Sequence, residues 1–118
     1  MVGKLPHRIL RPARLELRAA ARKYEHEREG LGQRFALSVD EAVKDVVAHP
    51  VRWPLMPSVP KELGVRHRLV DDFPFQVLYR VLDDDLVEVV AIKHMKRHPR
   101  SWASRLPQVD VEPNSSES

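Results

Sequence analysis

Residues Val65–Trp102, VRHRLVDDFPFQVLYRVLDDDLVEVVAIKHMKRHPRSW, decide the fold of this chain. The stretch reads as three consecutive strands, at residues 65–71, 75–82 and 86–94, separated by turns rich in aspartate. The middle strand, FQVLYRVL, carries apolar residues at both odd and even positions, so both of its faces are suited to burial. We therefore predict it as the central strand of an antiparallel meander, with an edge strand that carries Arg66 and Arg68.

Two amphipathic helices are predicted ahead of these strands, after a short first strand at residues 7–10. The first helix starts near Pro12, in PARLELRAAARKYEHEREG, and Gly30 is expected to end it in a left-handed conformation. Leu31-Gly32 is predicted to be a tight turn, and QRFALSVDEAVKDVVAH a second helix that Pro50 stops. The apolar stripe of the first helix is Ala13, Leu17, Ala20 and Tyr24, and that of the second is Leu31, Phe35, Val39, Ala42 and Val46.

Residues 50–62, PVRWPLMPSVPKE, contain four prolines and are interpreted as a connector between the helices and the sheet. Two helices followed by a run of strands is the α+β pattern. We predict an N-terminal helical hairpin packed on one face of a three- to four-stranded antiparallel sheet, with the opposite face left available for binding.

The C-terminal part of the chain is predicted to change character twice. After His98-Pro99 we expect a helical turn, RSWASR, with Trp102 folding back on the sheet. From Pro107 to Ser118 the composition is polar, which is typical of disorder. The predicted organisation is therefore one domain over residues 1–106 and a disordered tail over residues 107–118.

The length of 118 residues and the hydrophobic share of 42% suit a single small domain. The formal net charge is +3, and removing the three acidic residues of the tail leaves +6 on residues 1–106. A basic body favours an anionic partner, although an ordinary basic surface is the competing interpretation. The chain has no cysteine, which excludes disulfides and thiol catalysis. It also has no apolar run of membrane-spanning length and no signal peptide, so we expect a cytoplasmic protein.

Few patterns in the sequence indicate catalysis. No serine lies in a strand–turn–helix elbow and no glycine-rich loop precedes a helix, so no nucleotide cofactor is expected. His94 and His98 have the spacing of two metal ligands, but no carboxylate cluster accompanies them, and we predict no metal site. Strand alternation suggests that several cations converge on one edge and one open face, where they would hold phosphate; arginines that protect an edge strand are the alternative. This basic set is Arg66, Arg68, Arg80, Lys93, Lys96, Arg97 and Arg100.

The chain resembles the RelE/ParE superfamily of type II toxin–antitoxin toxins, often described as plasmid stabilisation proteins. The matching pieces are ARLELRAAARKYE, GLGQRF and VDEAV at the front, HPVRWP in the middle, and VRHRLVDDFPFQVLYRV with VEVVAIKHMKRHPRSW at the back. The resemblance implies a small α+β fold with a helical hairpin on an antiparallel sheet. It also implies an antitoxin partner, whose C-terminal segment wraps the toxin and covers its basic surface.

The superfamily divides by target. RelE-like members cleave messenger RNA in the ribosome, and ParE-like members poison DNA gyrase. The RelE-like pattern has an arginine directly before the Leu-Val-Tyr of the central strand, and this chain has Gln76 there. His94 falls where some ribonucleases place a catalytic histidine, whereas Trp102 stands where some place a tyrosine. The ending His94, Arg97, Trp102 and the Gly-Leu-Gly turn resemble ParE-like sequences, so this branch is favoured.

Three functions follow as hypotheses: a ParE-like toxin that binds an essential target such as DNA gyrase, a RelE-like endoribonuclease that acts on the ribosome or messenger RNA, and an inactivated member that only binds its antitoxin. For the nuclease, the resemblance and the basic set imply catalytic roles for His94, Arg97, Arg80 and Arg66. For the binding toxin they imply target-binding roles for Arg66, Arg68, Lys93, Lys96, Arg97 and Trp102. No cofactor and no membrane partner are expected in either case.

Overall fold

Two α-helices and a four-stranded sheet make up the part of the chain that the computed structural model describes, which is residues 7–57, 59–82, 85–97 and 101–106. The α+β prediction is confirmed. The elements are β1 (His7–Ile9), α1 (Arg11–Glu27), α2 (Leu31–Ala48), β2 (Arg66–Leu69), β3 (Phe75–Val81) and β4 (Val87–His94), with short 3-10 turns at Lys61–Leu63 and Ala103–Arg105.

The sheet has the strand order β1-β4-β3-β2. β2, β3 and β4 form the predicted antiparallel meander, and β2 is the strand that carries Arg66 and Arg68. β1 differs from the antiparallel expectation because it pairs with β4 in parallel, with Ile9 opposite Val89. No tight turn joins β1 to β4, since both helices and two strands lie between them in the chain, so their relative direction is not imposed by a hairpin.

A β-bulge interrupts the pairing of β3 with β4. Leu78 lies opposite Ala91 and Tyr79 lies opposite Val89, so Val90 is an extra residue on β4. Val90 and Ala91 both join the core on the face away from the helices, and strand alternation restarts after them. The bulge therefore places His94 on the helix-facing side of the sheet, where uninterrupted alternation from Val89 would have placed it on the other.

The helical hairpin packs on one face of the sheet, as predicted. Both apolar stripes contribute to a core that also contains Val77, Tyr79 and Val89 of the strands. Aromatic rings fill the end of this core: the ring centroid of Phe35 lies 4.8 Å from that of Phe75 and 5.2 Å from that of Tyr24. Aromatic pairs at such distances contribute about 0.5–1.5 kcal/mol beyond their buried area.

The turn of the hairpin lies earlier than predicted. Leu31-Gly32 is the start of α2 and not a turn, and the chain reverses over residues 28–30, where Gly30 has the left-handed φ of 87°. The Glu25 carboxylate holds this turn, because its two oxygens accept hydrogen bonds from the backbone N–H groups of Gly30 (2.8 Å) and Gly32 (2.9 Å). Gly32 is also required by close packing, since a Cβ there would lie 2.3 Å from the carbonyl oxygen of Ala21.

The face of the sheet opposite the helices is covered, which corrects the prediction that it would be open. Its core contains Leu78, Val90 and Ala91 of the strands, covered by side chains of the connector and of the C-terminal turn. The predicted folding back of Trp102 on the sheet is confirmed, and Trp102 is fully buried. The connector runs along the outer edge of β2, where the Met56 N–H donates to the Val65 carbonyl (2.7 Å). Burial of apolar area stabilises the fold on this face as well.

Several predicted features lie outside the described residues: the disordered tail, His98 to Arg100, and the first two aspartates of the turn between β3 and β4. The third, Asp85, has a positive φ of 63°, as expected of a turn aspartate. In the described ranges, no helix combines the length and the apolar character that crossing a membrane requires.

The two hydrogen bonds that the Glu25 carboxylate accepts in the hairpin turn predict that the stability of the protein depends on pH. The hydrogen bonds from the Gly30 and Gly32 amides lower the pKa of Glu25 below its ordinary value of 4.5. Because the folded state holds the charged form, this stabilisation is present above pH 4.5 and is lost as the pH falls through the lowered pKa. Glu25→Gln should therefore lower the urea midpoint near about pH 7 and have a smaller effect near about pH 3. Equal changes in the urea midpoint at both pH values would contradict this role of the Glu25 carboxylate. Glu29→Gln is the control, because Glu29 lies in the same turn but makes none of these hydrogen bonds.

Candidate functional site

The cationic end of β4 consists of Lys93, His94, Lys96 and Arg97. The bulge at Val90 and the end of the β3–β4 ladder fix its orientation, because the Met95 N–H closes the ladder on the Pro74 carbonyl (2.9 Å). Lys96 and Arg97 are exposed, His94 is half-buried, and Lys93 is buried. Solvent exposure therefore increases along these four residues, from Lys93 in the core to Lys96 and Arg97 at the surface, at one end of the sheet.

His94 is held by two contacts. Its ring meets that of Phe75 edge-on at a centroid distance of 5.0 Å. Its Nδ1 accepts a hydrogen bond from the Lys96 backbone N–H at 3.0 Å. An Nδ1 that accepts carries no proton, so the neutral ring in this arrangement presents a protonated Nε2. His94 can therefore donate a hydrogen bond to a bound partner.

Lys93 lies opposite Gln76 in the register, on the face away from the helices. Its ammonium donates to the His94 carbonyl at 3.0 Å, and burial lowers the pKa of Lys93 from its ordinary value. Gln76 is also buried, and its Oε1 lies 3.0 Å from His67 Nδ1. The position where the RelE-like pattern has an arginine is thus occupied by a neutral, hydrogen-bonded amide.

A groove of about 560 Å³ lies between α1 and the cationic end of β4. Its apolar part includes Leu15, which is 48% exposed, and the side chains of Ala19 and Phe75. Its rim carries charges of both signs, with Lys23 and Glu27 on α1 and Arg97 across the groove. An apolar floor with a charged rim is suited to an amphipathic peptide segment.

Arg80 lies elsewhere and is not available to a ligand. It is buried on the face away from the helices, where its Nε donates to Glu88 (2.8 Å), while Arg8 donates to the other carboxylate oxygen (2.6 Å). Burial by itself raises the pKa of Glu88, but the hydrogen bonds and charges of Arg8 and Arg80 outweigh it and lower that pKa. Arg80 Nη1 is buried without a hydrogen-bond partner. We conclude that the geometry of Arg80 is that of a structural ion pair.

Arg66 and Arg68 also lie apart from the cationic end of β4. They are paired with Tyr79 and Val77 and so point to the helix-facing side, away from Arg80, which corrects the prediction that the basic set converges on one edge and one open face. Arg66 donates to the Trp53 carbonyl (2.7 Å), and Arg68 pairs with the carboxylates of Asp45 and Asp71. The strand geometry separates Arg66 from His94 by roughly 13 Å along the strands and roughly 10 Å across them.

Tyr79 shows how closely this region is packed. Its hydroxyl donates to the Pro50 carbonyl (2.6 Å), and burial raises its pKa to about 12, partly offset by the nearby charge of Arg66. The Tyr79 hydroxyl therefore stays protonated near neutral pH. Tyr79 and Arg66 therefore join the connector to the sheet.

Of the predicted site residues, the structure brings together His94, Lys93, Lys96 and Arg97, and separates Arg66, Arg68, Arg80 and Trp102 from them. Their functional roles stay predictions. Sequence reasoning missed the groove, although one signal was present: Leu15 is apolar but lies off the buried stripe of α1. Among the described residues there is no group of three or more His, Cys, Asp or Glu that could hold a metal ion.

Comparison with known proteins gives one family match and two informative structures. The family described as ParE toxin of type II toxin-antitoxin system, parDE, matches residues 8–99. The structure is similar to the chromosomal ParDE TA system from P. aeruginosa, with a TM-score of 0.67 and 20% identity over 79% of this chain and 98% of that chain. It is also similar to the toxin–antitoxin complex RelBE2 from Mycobacterium tuberculosis, with a TM-score of 0.51 and 21% identity over 78% and 99%. At these identities the structural likeness shows the fold, and no curated protein sequence matches significantly.

The structural role of Arg80 is testable by its effect on the free energy of unfolding. Arg80→Met removes one partner of the buried Glu88 carboxylate and should cost about 3–5 kcal/mol. The double variant Arg80→Met with Glu88→Leu should recover part of this loss, because the buried carboxylate that lost one of its two arginine partners is removed as well. Chemical denaturation measures both, with exposed Arg97→Met, expected within about 0.5 kcal/mol of wild type, as the control. Wild-type stability of Arg80→Met would contradict the ion-pair assignment.

Proposed function

Because the chain belongs to the ParE toxin family of type II toxin–antitoxin systems, we propose that it inhibits growth by binding an essential target such as DNA gyrase, and that a cognate antitoxin neutralises it. The family match over residues 8–99 carries this proposal, since it includes both helices, three strands and all but the first residue of β1. The solvent-exposed part of the cationic end of β4, Lys96 and Arg97 with the half-buried His94, is the proposed target-binding surface.

A binding mechanism is supported by the state of the cations in the sheet. Arg80 is committed to Glu88, Arg68 to Asp45, and the ammonium of Lys93 to a backbone carbonyl. Stabilising the charge of an RNA-cleavage transition state requires donors aimed at the reacting phosphate. Trp102 and the connector also occupy the face that holds Gln76 and Lys93. These contacts favour a surface that binds over one that cleaves.

The antitoxin partner is supported by the two structural relatives, which are a ParDE system and a RelBE2 toxin–antitoxin complex. We propose that the antitoxin places an amphipathic segment in the groove between α1 and β4. Apolar side chains of that segment would contact Leu15 and Ala19, and its acidic side chains would meet Lys23 and Arg97 across the rim. Such a segment would cover the cationic end of β4 and so block the target.

A messenger RNA endoribonuclease is the second candidate, and one observation favours it. His94 is a half-buried histidine next to the exposed Lys96 and Arg97, and a histidine beside cations that can hold a phosphate is a candidate for proton transfer in RNA cleavage. In this case His94 and Arg97 would be the catalytic pair. A chain that binds an antitoxin but no longer harms the cell is the third candidate.

Induction in bacteria separates these functions. We expect expression of the chain alone to stop growth, with gyrase-linked DNA breaks and intact messages, and co-expression of the small protein from the neighbouring reading frame to restore growth. Cuts in messenger RNA that disappear with His94→Ala plus Arg97→Ala, but not with the control Lys61→Ala, would instead establish the nuclease. Harmless accumulation of folded protein would reject both toxins and leave the third candidate.

The groove assignment is tested by a pair of matched variants. Leu15→Glu places a carboxylate on the apolar floor and should weaken binding of the purified antitoxin at least about 10-fold, which is about 1.4 kcal/mol. Leu37→Glu makes the same change on α2, where Leu37 is 58% exposed and outside the groove, and should leave the affinity unchanged. Isothermal titration calorimetry measures both, and equal losses in the two variants would reject the groove as the antitoxin site.

A further inference from the structure

Four arginines form a continuous ridge along α1, which neither the groove nor the cationic end of β4 includes. Arg11, Arg14, Arg18 and Arg22 follow one another at spacings of three, four and four residues, so they lie on one side of the helix. All four are exposed, and none lines the groove. At a rise of about 1.5 Å per residue, this arginine ridge is roughly 16 Å long.

The cations of the ridge are not neutralised by the protein. Over the described ranges of the chain, no ion pair involves any of the four arginines, whereas Arg8, Arg68 and Arg105 each have a carboxylate partner. Two of the three acids on α1 are occupied elsewhere, because Glu16 binds Arg105 and Glu25 binds the backbone of the hairpin turn; the third, Glu27, lines the groove. Arg14 donates to the Ile9 carbonyl (3.2 Å) and keeps its full charge.

The ridge destabilises the helix that carries it. Like charges four residues apart repel one another, as in the series Arg14, Arg18, Arg22. Arg11 and Arg14 also lie in the first turn of α1, which contains no acidic residue, so they oppose the helix dipole. A helix face that served only to keep the protein soluble would typically carry interspersed charges of both signs. The arrangement is therefore better explained by an anionic partner than by solvation.

We propose that the arginine ridge is a contact surface for the phosphate backbone of double-stranded nucleic acid. A DNA duplex carries one negative charge per about 1.7 Å of its axis, so the length of the ridge faces about ten charges. All four residues are arginine, whose planar group binds phosphate through two hydrogen bonds. Such contacts position a protein on a duplex without reading its sequence.

Other anionic partners fit the ridge less well. Proteins that bind single strands use aromatic side chains for base stacking, and the ridge has none. A helix that lies on a membrane surface needs a free apolar face, but the apolar face of α1, including Ala13 and Leu17, is packed in the core. An acidic peptide remains as a competing partner and is included in the test.

The test uses the full chain from cell-free synthesis and a fluorescently labelled duplex of about 20 base pairs and arbitrary sequence. Affinity measured by anisotropy over a salt series should give a log–log slope near −3.6, because each phosphate contact contributes about −0.9. Arg18→Gln with Arg22→Gln should flatten the slope by about 1.8. Arg34→Gln with Lys61→Gln removes two exposed charges off the ridge and should leave the slope unchanged. Gln and Arg have similar helix propensities, and thermal melts verify folding.

Each result of these binding measurements either supports or overturns the proposal that the ridge contacts a duplex. Ridge-dependent binding to a DNA or an RNA duplex supports the proposal, and the ratio of the two affinities identifies the physiological duplex. If the ridge variant and the off-ridge variant lost equal affinity for the duplex, only the net charge of the protein would matter, and the proposal would be overturned. Preference for a single strand, or ridge-dependent binding only to a poly-glutamate peptide or to phosphatidylserine vesicles, would overturn it as well. The proposal does not depend on toxicity, since none of these measurements involves growth, gyrase or the antitoxin.

Discussion

Burial of both faces of the β3–β4 pair is the constraint on which the rest of this structure depends. The helical hairpin covers one face, and the connector with the C-terminal turn covers the other. Charged groups that the two strands carry in this region then need partners inside the protein, because an unpaired buried charge is strongly unfavourable; Arg80 Nη1 alone is left without a hydrogen bond among the buried side-chain atoms of the described residues. Glu88 therefore holds Arg80 from the neighbouring strand and Arg8 from outside the pair, and Lys93 caps a backbone carbonyl. The charges nearest the centre of the fold are structural for this reason.

The cations that remain for binding are those at the periphery. One group stands at the end of β4, where the strand leaves the core and Lys96 and Arg97 reach solvent. The other is the arginine ridge on the outer side of α1. Arg97 lines the groove, whereas none of the four ridge arginines does. Under the functions proposed above, the antitoxin or target would use the groove and the end of β4, and a duplex would use the arginine ridge.

α1 connects these surfaces. Its buried stripe packs on the sheet, one flank forms the groove through Leu15 and Ala19, and another flank carries the arginines. Its position depends on the hairpin turn, where the Glu25 carboxylate binds two backbone amides and Gly32 allows the helices to approach. The hairpin turn is distant from the end of β4 in sequence, but it fixes the position of α1, which faces His94 across the groove.

The sequence by itself determined the two helical stripes, the three strands of the meander and the folding back of Trp102 on the sheet. These features follow from local periodicity and from the turn residues between elements. Tertiary structure decided the rest. The extra residue Val90 moved His94 to the helix-facing side, the ion pair with Glu88 removed Arg80 from the candidate site, and β1 joined β4 in parallel. Each of these depends on strand register and on contacts between residues distant in the chain, which local pattern does not encode.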